Sequence, residues 1–178
     1  MWFAVGGVSV LMGGYLLATN TAKCREALRP HVVPALIGAA VGITMAVATY
    51  GAYRVLLRIA PYMALDTAHL YSAFRAPSAG LSAVALTPII LGEEVVWRHV
   101  VQTALTERWG PRLGVVCAAL AYAFVLLPLR SPLMLIAGVG CGLVWSTLRA
   151  TTGGLVAPLV AHLVWDAVVL IWLPLDAG

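Results

Sequence analysis

Apolar residues fall along this chain in long blocks, separated by short connectors that hold most of the charge and proline. A helix needs about 20 apolar residues to cross a bilayer, so each block reads as a candidate span. The blocks run from about Trp2 to Ala18, Val32 to Tyr53, Ala79 to Gly92, Leu113 to Leu129, Leu133 to Leu148 and Leu155 to Leu173. The connector after the first block holds Asn20, Lys23, Arg25, Glu26, Arg29, Pro30 and His31. Arg54 and Arg58 close the second block, their stems placed to snorkel to the interface. The stretch from Ile59 to Ser78 carries Pro61, Asp66, His69, Arg75 and Pro77, and is too polar to span; a loop or short surface helix is expected. Gly110-Pro111 predicts a break, and Arg130-Ser131-Pro132 a tight turn. Gly138 and Gly142 form a small-x-x-x-small pattern suited to close helix approach. Pro158 sits in a first helical turn, where its missing N–H costs little.

Composition supports the same reading. Of the 178 residues, 62% are apolar and 10% charged, and mean hydropathy is +0.96. Soluble domains have about 45–50% apolar and about 25% charged residues. A soluble globular protein, a disordered tail and a nucleic-acid-binding module are excluded. The expected fold is all-α: a polytopic helical membrane bundle of about six spans. The chain is expected to divide into residues 1–78, carrying N-terminal helices and a connector, and a core over residues 79–178. The first apolar block lacks a basic leader and a clear cleavage site, so a retained span is expected.

The net charge of +4 reads as topology in such a chain. With the N-terminus outside, the inner connectors hold Lys23, Arg25, Arg29, Arg98, Arg108, Arg112 and Arg149. The outer ones hold Arg54, Arg58, Arg75 and Arg130, so the N-out orientation is favoured. Cys117 and Cys141 lie in apolar blocks and Cys24 in a basic connector, with no disulfide or metal spacing. His31, His69 and His99 fall in connectors and are expected to be solvated or interfacial. Trp2, Trp109 and Trp172 lie near span ends, as interface anchors do.

The informative residues are polar groups inside or beside apolar blocks, where a charge needs a partner or a task. Glu94 and Arg98 are four apart, so on a helix they share a face and can pair. Glu93 points about 100° away, toward the side of Trp97. One acid is then neutralised and the other aimed elsewhere, which suits a general base or an ordinary interfacial helix end. His162 and Asp166, also four apart, can form a catalytic orienting pair or a structural hydrogen-bonded one.

Together, Glu93-Glu94-x-x-Trp97-Arg98 and His162-x-x-x-Asp166 resemble the CPBP family. These are the CAAX-protease and bacteriocin-processing-like intramembrane proteases, also called the Abi family. The resemblance covers about Leu81 to Leu173 and includes Thr152-Gly153-Gly154-Leu155-Val156-Ala157-Pro158, which looks like the family's lead-in to its last motif. It implies an active site sunk below the membrane surface. In that family's scheme Glu93 would activate a water, and Glu94 and Arg98 would support it. His162 and Asp166 would stabilise the oxyanion or the site's geometry. If a divalent metal such as zinc takes part, Glu93 and His162 are the candidate ligands, short of the usual three.

The family's middle motif is an aromatic residue, three others, then His. Here it reads Tyr122-Ala123-Phe124-Val125-Leu126, so Leu126 stands at the His position. Leu cannot accept a proton, bind a metal or orient water. The leading expectation is a catalytically impaired protease homologue, a pseudoenzyme, acting as a binding or scaffold subunit among other membrane proteins in the lipid bilayer. A working endopeptidase, a hydrolase cleaving a membrane-bound or prenylated protein, is the alternative. A small transporter or channel is a third, although no internal repeat is evident. The expected location is a bacterial plasma membrane.

Overall fold

The computed structural model of the protein describes residues 2–19, 21–74 and 79–177. Among the described residues eight α-helices follow in order: α1 (Trp2–Thr19), α2 (Thr21–Ala27), α3 (Val32–Ile59), α4 (Met63–Phe74), α5 (Ala79–Glu93), α6 (Gln102–Val125), α7 (Pro132–Thr152) and α8 (Val156–Asp166). A π-helical segment, Glu94–Val101, joins α5 to α6, and a second, Ala167–Trp172, extends α8. No strand occurs among the described residues. Val32–Ile59, Val84–Leu129 and Pro132–Thr152 are long and apolar enough to cross a membrane. Gly6–Thr19 and Val156–Trp172 are shorter apolar helices. The all-α membrane bundle expected from the hydropathy pattern is what the chain forms, and it is an integral membrane protein.

Small residues decide how the helices meet. Gly38, Gly42 and Ala46 make one buried stripe on α3, and α8 lies along it. A Cβ on Gly42 would sit 2.8 Å from the Ala161 carbonyl oxygen, so a larger residue would push α8 away. Gly13 of α1 and Gly92 of α5 bring those two backbones into direct contact. Gly138 and Gly142 face Ala123 and Ala119, as the small-x-x-x-small pattern predicts, and bring α7 onto α6. In lipid, where apolar solvent gives no hydrophobic push between helices, such close van der Waals contact carries the packing.

The predicted breaks fall where glycine and proline placed them. α6 bends at Gly110, whose φ of 81° and ψ of 168° suit glycine. Ser131 caps α7, its hydroxyl accepting from Met134 N at 3.1 Å. Two expectations are modified. The stretch after Ile59 is a full helix, α4, with Thr67, Leu70 and Tyr71 buried against the bundle. Asp66 ties it to α7 by accepting from Ser131 Oγ and Leu133 N. Cys24, expected in an open basic connector, is fully buried against Val95 and Leu155. Arg75, Pro77 and Ser78 lie outside the described residues.

Candidate active site

Four elements meet at the polar centre: the end of α5 with its π segment, α6, α7 and α8. The Glu-Glu pair sits where α5 changes from α to π winding. The wider turn is seen in Gln102 N–H, which bonds back to the Trp97 carbonyl, five residues earlier. The sequence spacing assumed an ordinary α-turn here. The Glu94–Arg98 pair forms nonetheless, with Arg98 Nη1 3.6 Å from Glu94 Oε1.

The structure brings Glu94, Arg98, His162 and Asp166 into one buried knot. His162 Nδ1 lies 2.9 Å from Glu94 Oε1, a buried hydrogen bond between the π segment and α8. His162 Nε2 stands 3.7 Å from Asp166 Oδ2, one helical turn on. Glu94, Arg98 and His162 expose 0%, 1% and 3% of their surface. The Arg98 guanidinium makes no hydrogen bond among the described residues. Its charge is met by Glu94 and by two aromatic faces, Tyr122 at 4.7 Å and Trp145 at 5.2 Å. Trp145 also stacks on the His162 ring, centroids 3.6 Å apart and planes at 19°.

Glu93 faces a different environment. Its Oε2 accepts from the Tyr122 hydroxyl at 3.0 Å. Both residues line a cavity of about 270 Å³ between α1, the π segment and α6. Val8, Met12, Trp97 and Leu126 share that wall. Val8 and Met12 are exposed, so the cavity's rim faces outward. Leu126 is buried and stands in the same wall as Glu93, where the family's middle histidine is expected.

Sequence reasoning found the four charged residues of the knot but missed what holds them. Tyr122 was legible only as the aromatic of the middle motif. Trp145 had one available signal: it lies in mid-span, away from the interface positions tryptophans favour in membranes. Gln102 was also missed; its Nε2 donates to the Ser146 carbonyl at 2.8 Å and ties α6 to α7.

The side chains present do not fit a metal. His162 Nδ1 is taken by Glu94, and among the described residues no group of three His, Cys, Asp or Glu side chains is arranged to hold a metal ion. Glu93 and His162 therefore lack a third partner.

Carboxylates, an arginine and a histidine held inside apolar helices define a membrane protein with a buried polar centre. The family model described as Type II CAAX prenyl endopeptidase Rce1-like matches residues 74–168, more than half of the chain. The protein belongs to that family, as its motifs led one to expect. No curated protein and no solved structure matches the chain.

Proposed function

We propose that this protein is a CAAX-endopeptidase relative whose peptide hydrolysis is impaired, and that it binds or scaffolds other membrane proteins. The observation that carries this reading is Leu126 beside Glu93 in one cavity wall. A water held there meets one carboxylate and a tyrosine hydroxyl, but no second base from α6. Losing a positioned acid or base lowers a rate by about 10²–10⁴-fold. His162 offers no replacement, because Glu94 engages its Nδ1 and it does not line the cavity. The outward-facing rim suits an apolar segment of a membrane partner.

The test is cleavage of a prenylated CAAX peptide in proteoliposomes. Wild type is expected to leave it intact, and Leu126→His to gain cleavage that Glu93→Ala removes. Ready, Glu93-dependent cleavage by the wild type would overturn the proposal. The same outcome would establish the second reading, an active endopeptidase with Glu93 as its lone base. That reading draws on Glu93 lining the cavity with its Oε2 held by the Tyr122 hydroxyl.

A further inference from the structure

Away from the Glu-Glu centre, α2, the π segment and the end of α7 carry Lys23, His99 and Arg149. α2 and α7 both pack on the π segment there. Ala27, the last residue of α2, accepts a hydrogen bond from Leu155 N at 2.8 Å, which fixes α2 against the turn after α7. Burial of Cys24 fixes its rotation and leaves neighbouring Lys23 exposed. His99 stands on the π segment and Arg149 in the last turn of α7. The charges of Arg149 and Lys23 both reach His99.

These groups lack acceptors. His99 Nδ1 and Arg149 Nε are buried without a hydrogen-bond partner. Among the described residues, no carboxylate pairs with Lys23, His99 or Arg149. Glu26 and Glu107, the acids on the adjoining helices, are exposed and form no ion pair with them. A cation in a last helical turn suits the helix dipole, but the dipole does not satisfy a buried Nε–H. Two neighbouring cations, one with a buried N–H that has no acceptor, are stabilised when an anion supplies one. A guanidinium, an imidazole and an ammonium together match a phosphate, whose several oxygens can accept from all three. Arg149 lies in the last turn of the apolar span Pro132–Thr152 and Lys23 just beyond the apolar helix Gly6–Thr19, positions from which a cation can meet a lipid headgroup.

We propose that Lys23, His99 and Arg149 form a binding site for a phosphate-bearing anion, supplied by the headgroup of an anionic phospholipid.

The full chain, purified in neutral detergent, would be titrated with phosphatidylglycerol, with phosphatidylcholine of the same chains, and with inorganic phosphate. Native mass spectrometry would count the bound molecules. One phosphatidylglycerol is expected to bind about tenfold more tightly than phosphatidylcholine, and Lys23→Gln to weaken it roughly fivefold. Arg149→Gln is expected to abolish the preference, with a melting curve checking that the variant folds. Lys23→Gln changes an exposed side chain, so it tests the site even if Arg149→Gln unfolds. Arg58→Gln, at the end of α3, should leave the preference unchanged. Equal binding of the two lipids, or a preference that survives both variants, would overturn the site. Binding of inorganic phosphate without phosphatidylglycerol would overturn the lipid as its source.

Discussion

Glu93 and Glu94 are adjacent in the chain and end in opposite circumstances. Glu94 is sealed in the interior, shared between Arg98 and His162, and linked through His162 to α8. Glu93 touches one hydroxyl and borders a cavity. The first region is a cross-brace between helices. The second is a surface that can meet another molecule. A residue step of about 100° around a helix is enough to separate support from encounter.

The comparison breaks most clearly if each acid is removed in turn. Glu94→Ala leaves Arg98 buried without its counter-charge and is expected to destabilise the fold by about 3–5 kcal/mol. Unfolding in mixed micelles would measure this. A loss no greater than that of Glu93→Ala would erase the distinction between the two regions. A smaller effect is expected at a distance. Gly42→Val overpacks the α3–α8 contact beside His162 and should cost about 1–3 kcal/mol by the same assay. If the shift in α8 lengthens the His162–Glu94 bond, Glu94→Ala will cost less in that background than in the wild type. Additive losses would show that the brace does not depend on the helix seam. The smallest change is expected from Tyr122→Phe, which removes one hydrogen bond to Glu93 at about 0.5–1.5 kcal/mol. If Glu93 serves encounter and not support, this variant should alter any cleavage gained by Leu126→His more than it alters stability.

Much of this was readable from the chain because the bilayer restricts what a sequence can do. Apolar blocks of spanning length leave few folds open, and glycine and proline marked Gly110 and the Ser131 turn directly. The pairing of Glu94 with Arg98 followed from their spacing. Other features depended on partners far away in sequence. The stripe of Gly38, Gly42 and Ala46 has the same spacing as Gly138 and Gly142, yet nothing local says that α8 is what lies against it. His162 was paired in advance with Asp166, its neighbour on the helix, but its shorter contact is to Glu94, 68 residues earlier. Helical spacing reveals neighbours on one helix and is silent about the facing one. The burial of Cys24 beneath a basic connector was hidden for the same reason.

The π winding between Glu94 and Val101 also shapes how this chain can tolerate insertion and deletion. A π turn accommodates one more residue than an α-turn. Loss of one residue in this segment can therefore be absorbed by a return to α winding, leaving α5 and α6 nearly in place. The price is local phase: side chains within the segment rotate relative to Glu93 and Glu94, while those of α6 keep their directions. The segment is a point where the reading frame of side-chain directions can slip while the bundle stands, so its length fixes which way Arg98 and Trp97 face.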